Sequence, residues 1–251
     1  MGKTTLLVDI GNTRVKWAWA EDGDILAGEA FPSEANGLAE CLDRSWGKLR
    51  APCAVYASNV AGAEIAGRLA AWIARHWDVP VRFAKSEAFG HGVANGYERP
   101  EQLGVDRWLG LIALRRDYAL PACLIDCGTA LTLDVLDGEG RHLGGLIAPG
   151  PALMRRALFQ ETRGVRPGQG AAPGLLGRDT ASGVANGVIL ACAGLVEKTL
   201  RELAGRLDCP PTLVLTGGDG ELLGRHLAVP YRLAPDLVQR GLLTIAETDS
   251  T

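Results

Sequence analysis

Histidine is scarce in this sequence, four in 251 residues, and no HxxxH or HExxH spacing occurs, so a histidine-built zinc site is not expected. The six cysteines, Cys41, Cys53, Cys123, Cys127, Cys192 and Cys209, form no CxxC pair. Several lie inside apolar runs, which argues against a disulfide frame and for reduced, buried thiols. There is no basic excess: 26 Lys and Arg stand against 29 Asp and Glu, a net charge of −3, and so no general footprint for nucleic acid. No run of 18 or more apolar residues occurs, so no membrane-spanning helix is expected. Residues 1–11 lack the apolar core and small-residue cleavage site of a signal peptide. These absences make direct nucleic-acid or membrane binding unexpected and a cytoplasmic location expected. The six tryptophans, Trp17, Trp19, Trp46, Trp72, Trp77 and Trp108, do not alternate with basic residues and read as core or interface rather than as a base-stacking array.

What is present is an ordinary globular composition, 47% hydrophobic and 22% charged, long enough for one large domain or two smaller ones. Gly2-Lys3-Thr4-Thr5 mimics the tail of a Walker A loop. That loop needs GxxxxGK between a strand and a helix, whereas here only Met1 precedes the glycine and a strand follows.

The sequence contains an internal repeat offset by 117 residues: LLVDIGNTRVKWAWAEDGDILAG from Leu6 aligns without gaps on CLIDCGTALTLDVLDGEGRHLGG from Cys123. Asp9 falls on Asp126, Gly11 on Gly128, Asn12 on Thr129, Asp22-Gly23 on Glu139-Gly140, and Gly28 on Gly145. Each copy reads as strand, Asp-x-Gly turn, strand, acidic-Gly hairpin and strand. NGLAECLDRSW, AEIAGRLAAWIARHW, DRWLGLIALRRDYA, PALMRRALFQ, a long segment from about Thr180 to Leu203, and DLVQRGLLTIAET read as helices; CAVYASNV and PTLVLTGG read as strands. This order predicts an α/β fold of two similar lobes, residues 1–118 and 119–251, with the seam near Tyr118 to Pro121.

Two facing lobes would put Asp9 and Asp126 on either side of one nucleotide cleft. Glycine after each strand lets backbone approach a ligand, and turn amides bind phosphate oxygens. Asn12, Thr13 and Thr129 add neutral donors, and Lys16 adds a positive charge. The acids repel phosphate but hold a cation, or its waters, that bridges phosphates. The alternative is that both acids only stabilise turns. Thr216-Gly217-Gly218-Asp219 ends a strand and enters a helix whose first amides suit an anion or nucleotide; there Asp219 is equally read as an N-cap. The loop from Gly164 to Gly177 has the composition of a mobile segment, with or without a role over substrate.

At this point the motifs resemble those of a family. DIGNT and DCGTA are similar to the phosphate loops of the acetate kinase, sugar kinase, Hsp70 and actin superfamily, and TGG to its adenosine motif. More specifically, DIGNTRVKW, GYERPEQLGVDRW, DCGTALTLD, GGLIAPG, LGRDTASGV and LTGGD resemble type III pantothenate kinase, a family that includes Bvg accessory factors. The resemblance implies a duplicated ribonuclease H-like (actin-like ATPase) fold and transfer of the ATP γ-phosphoryl group to the primary hydroxyl of pantothenate, the first step of coenzyme A synthesis. It implies that Asp9, Ile10, Gly11, Asn12, Thr13, Arg14, Val15 and Lys16 form the first phosphate loop and that Thr129 contacts ATP. Asp106 would be the base. Tyr97, Gly104, Val105, Asp106, Arg107 and Thr180 would contact pantothenate. Asp126 would help bind potassium or ammonium, magnesium would accompany ATP, and the protein would be a homodimer with the pantothenate site near the subunit interface.

The residues alone leave alternatives open. Asp106 and Thr180 each suit a helix N-cap, Arg107 an exposed helix-surface charge, and Tyr97 ordinary partial burial. GGLIAPG either borders a pocket or simply turns the chain. The family name also implies a second function, an accessory role in transcription with or without catalysis. A third is a related kinase or phosphatase with another acceptor.

Overall fold

The computed structural model describes residues 4–34, 36–163 and 174–249. Gly2, Lys3 and most of the Gly164–Gly177 loop lie outside the described residues. The chain forms two compact units: Met1–Asp117 with Asp236–Thr251, and Tyr118–Pro235.

In the first unit, β1 (Thr4–Ile10), β2 (Arg14–Glu21), β3 (Asp24–Pro32), β4 (Ala54–Asn59) and β5 (Val81–Phe83) form one sheet in the order β3-β2-β1-β4-β5. The first three strands are antiparallel neighbours, and β4 and β5 add in parallel. Side chains alternate along β1. Leu6, Val8 and Ile10 pack with α1 (Leu38–Trp46) and α2 (Ala63–Trp77). Leu7 faces the other way, with Tyr56, Leu109 of α3 (Val105–Asp117) and Val238, Leu242 and Leu243 of the closing helix. Trp17, Trp46 and Trp72 gather with Phe31 in the buried core, with the half-buried Trp77 packed against them, and Trp108 is also buried.

In the second unit, β8 (Ala122–Cys127), β9 (Ala130–Leu136), β10 (His142–Pro149), β11 (Thr212–Thr216) and β12 (Arg232–Leu233) repeat the topology in the order β10-β9-β8-β11-β12. The short hairpin β6 (Phe89–Gly90) and β7 (Val93–Ala94) lies between the two sheets in sequence. Cys123, Ile125, Cys127, Leu131 and Leu133 pack with Ile189, Cys192, Ala193 and Val196 of α5 (Thr180–Leu203) and Leu223 of α6 (Gly220–Gly224). The helix α4 (Pro151–Glu161) packs on α5. All six cysteines are free thiols. Burial pushes the Cys123 and Cys127 thiols up to about 12, leaving both protonated and unreactive.

Two expectations are corrected, and a third is qualified. The gapless repeat is not gapless in space: Asp9 pairs with Lys16 but Asp126 pairs with Thr132, so the second turn is one residue tighter. The next hairpin restores the register, because Trp17 pairs with Glu29 while Leu133 pairs with Leu146. The second lobe does not run to residue 251, since α7 (Leu237–Thr248) returns to the first unit and covers β1 and β4 beside α3. Its Gly241 is what permits this, as a Cβ there would lie 2.2 Å from the carbonyl oxygen of Leu109. Finally, α5 is long and apolar enough to cross a membrane by length and composition, at mean hydropathy 1.4. One of its faces, carrying Ile189, Cys192, Ala193 and Val196, is nonetheless part of the core of the second unit.

Candidate functional site

The first unit assembles one group of residues at the C-terminal ends of β1 and β4. Asp9 closes the face of β1 that carries Leu7, with Lys16 opposite it on β2 and Ser58 beside it on β4. Ser58, fully buried, donates from Oγ to Asp9 Oδ1 at 2.6 Å. Burial raises the Asp9 pKa; the Ser58 hydrogen bond and the Lys16 charge oppose the rise, and the charge of Asp106 adds to it. Asp106, 97 residues along the chain, therefore acts on the same electrostatic site. The turn is closed by the Gly11 N–H donating to Arg14 O at 3.0 Å, which presents Asn12, Thr13 and Arg14 to solvent while Ile10 and Val15 anchor it in the core. The loop after β4 is tied to the same turn by the Val60 N–H donating to Ile10 O at 2.9 Å.

Asp106 and Arg107 open α3, whose first carbonyl, Gly104 O, accepts from Trp108 N–H at 3.0 Å. Asp106 thus sits inside the first turn rather than at the cap, and its Oδ1 accepts from Arg107 N–H at 2.8 Å. A Cβ at Gly104 would lie 2.7 Å from that oxygen, so glycine there leaves room for the carboxylate. Arg107 is not an exposed surface charge: only 6% of it is accessible. Its guanidinium donates to the Tyr97 hydroxyl at 2.7 Å and lies 5.5 Å from the centre of that ring. Val105 is half-buried next to this group.

The second unit assembles the other group. Asp126 is the penultimate residue of β8, and Thr129 is exposed in the turn that follows. Gly150, at the end of GGLIAPG, donates to Thr129 O at 3.0 Å, and a Cβ on it would come 2.0 Å from Gly128 O. That segment therefore packs directly on the second Asp-x-Gly turn. Gly217 has φ +86°, and a Cβ there would lie 2.3 Å from Asp126 Oδ1. The Asp219 N–H donates to Cys127 O at 2.8 Å, the counterpart of Val60 on Ile10. Asp219 makes no side-chain cap on α6. Thr180 is the exposed first residue of α5; the cap is Asp179, in a capping box with Ser182.

Two positions with site contacts escaped the sequence reading. Ser58 was read only as part of a strand, because nothing in sequence shows that β4 lies beside β1. Asn95 fixes the loop that carries Tyr97: its Oδ1 accepts from the Tyr97 N–H at 3.0 Å.

The model of the type III pantothenate kinase family matches residues 5–202, which include both Asp-x-Gly turns, Tyr97, Asp106, Arg107 and Thr180. The chain belongs to the type III pantothenate kinase family. It is a kinase with the duplicated ribonuclease H-like fold. A type III pantothenate kinase of Nitrosococcus oceani is 36% identical over 98% of this chain and 94% of its own. Among solved structures, one named as a Baf family transcriptional activator from Campylobacter jejuni superposes at TM-score 0.64 with 20% identity, covering 98% of each chain. MreB 5 of Spiroplasma citri bound to AMPPNP superposes at TM-score 0.51 with 9% identity, over 99% of this chain and 97% of its own, a likeness of fold alone.

Proposed function

We propose that the chain transfers the γ-phosphoryl group of ATP to the primary hydroxyl of pantothenate, giving 4'-phosphopantothenate, in the cytoplasm. The observation that carries this reading is the first unit's grouping of a buried, serine-bound Asp9 with Asp106 and a buried Arg107 bonded to a half-buried Tyr97. Phosphoryl transfer asks the protein for positioning, charge neutralisation and a proton acceptor rather than covalent chemistry. Asp106 accepts the proton of the attacking hydroxyl. Arg107 and Tyr97, with Gly104, Val105 and Thr180, hold pantothenate, the guanidinium taking its carboxylate through a forked pair of hydrogen bonds. Asp9 to Lys16 and Thr129 contact ATP.

Among the described residues no group of three or more His, Cys, Asp or Glu forms a metal cage. Magnesium takes one or two carboxylates together with water and substrate phosphates rather than a dedicated cage. When bound, magnesium neutralises charge on the transferring phosphates. Asp126, half-buried against Gly217, is the residue we assign to a monovalent cation, potassium or ammonium.

We assign the homodimer contact to the second unit, where Pro149, Leu153, Leu158, Gly183, Val184 and Gly187 line an apolar groove between α4 and α5. Ile147, Leu175 and Leu176 are exposed in the same unit, 65%, 67% and 79% accessible. Thr180 also lines that groove.

The test of the base is Asp106→Asn, which keeps shape and removes the proton acceptor. It should lower kcat about 10²–10⁴-fold with the fold intact. Unchanged turnover removes Asp106 from that role.

A further inference from the structure

The segment between β5 and α3 carries Tyr97 and delivers the chain to Gly104, yet its only regular structure is a two-stranded hairpin and one 3-10 turn, Pro100–Gln102. A loop of this kind holds a side chain in place only if its backbone is tied elsewhere. One residue makes most of those ties. Asn95 donates from Nδ2 to Glu87 O at 3.0 Å and to Pro100 O at 3.2 Å, while its Oδ1 accepts from the Tyr97 N–H. Its backbone N–H donates to Ala88 O at 2.9 Å. Every hydrogen-bonding atom of the amide except one lone pair of its oxygen is thereby used across three segments. At the far end of the loop Ser86 Oγ donates to Leu103 O at 2.7 Å, directly before Gly104. Residues 86–88 are thus a spine to which both ends of the Tyr97 loop are fastened.

We propose that Asn95 is a positioning residue for the acceptor substrate: by clamping Glu87, Tyr97 and Pro100 together it holds the Tyr97 hydroxyl on Arg107 before substrate arrives. A loop ordered in advance does not lose its freedom on binding, so the clamp lowers the KM of the acceptor and leaves ATP untouched. The inference rests on the assignment of Tyr97 and Arg107 to the acceptor site.

The experiment compares Asn95→Ala, Asn95→Asp and Tyr97→Phe in steady-state kinetics with pantothenate and ATP varied separately. Asn95→Ala should raise the KM for pantothenate on the order of tenfold, with the KM for ATP within about twofold of the parent. Asn95→Asp keeps the acceptor for the Tyr97 N–H and loses both donors, so its pantothenate KM should also rise. A pantothenate KM unchanged in both Asn95 variants, while Tyr97→Phe raises it, overturns the clamp and leaves the acceptor site standing. No effect in Tyr97→Phe as well overturns the acceptor-site reading on which the clamp depends. A parallel rise in both KM values with a lowered melting temperature marks Asn95 as merely structural and also overturns the proposal.

Discussion

Asp9, which we assign to the ATP site, carries its buried carboxyl at the expense of stability. It is 7% exposed, and burial dominates the upward displacement of its pKa. A carboxyl whose folded pKa exceeds its unfolded value keeps its proton longer in the native state. Stability therefore falls as pH rises from the unfolded value towards the folded one, and the buried charge is a cost at neutral pH. Asparagine at this position still accepts from Ser58 and carries no charge. Asp9→Asn should raise the melting temperature at neutral pH by a few degrees, about 1 kcal/mol, while activity is lost. The gain should shrink towards zero near pH 4 and below. A melting temperature that falls, or a gain independent of pH, contradicts this account; thermal melts across the pH range supply the data. The row Lys16, Asp9, Ser58 has a counterpart in Thr132, Asp126, Thr216 of the second sheet, so each acid has a hydroxyl residue at the same place on the fourth strand.

At the scale of elements, the closing helix is decisive for the first unit. Leu237, Val238, Leu242 and Leu243 of α7 are buried, and fully burying such a side chain is worth roughly 1.5–3 kcal/mol each. Together they rival the whole stability of a typical domain. Ion pairs of Arg240 and Glu247 with Asp117 and Arg116 add only a little, being partly solvated. Truncation before Leu237 should strip hydrogen-exchange protection from β1, β4 and α3 while β8 and β11 keep theirs; uniform loss across both sheets contradicts the assignment. The sequence showed α7 as a helix but not its destination, because apolar periodicity says that a face is buried and not against what. The repeat was legible because glycine turns at fixed spacing survive divergence. The one-residue difference in the first turn was hidden, since the next hairpin restores the spacing of Gly23 and Gly140. The hairpin Phe89–Ala94 was missed because two-residue strands carry no readable alternation. The motifs around Asp9, Asp106 and Asp126 were visible in sequence, whereas Ser58 and Asn95 acquire meaning only from which strand lies beside which and which carbonyls a side chain reaches.

At the scale of the molecule, two units of identical topology hold different residues around their matching turns. The first holds the Asp9 turn and the Asp106–Arg107 helix start; the second holds the Asp126 turn with Gly150 and Gly217 packed on it. The homodimer we propose uses the glycine face of α5, which has open space at Gly183, Gly187 and Gly194. Sedimentation at micromolar concentration should give twice the chain mass, and Gly187→Arg should shift it towards the monomer; a monomeric parent chain rules the contact out. The central claim is the reaction itself. Its most direct measurement is ADP release from ATP with magnesium and potassium, recorded with and without pantothenate and alongside a panel of other small alcohols and acids. The account predicts release that depends on pantothenate and yields its phosphate ester. Release that ignores pantothenate, or that follows a different acceptor in the panel, contradicts it.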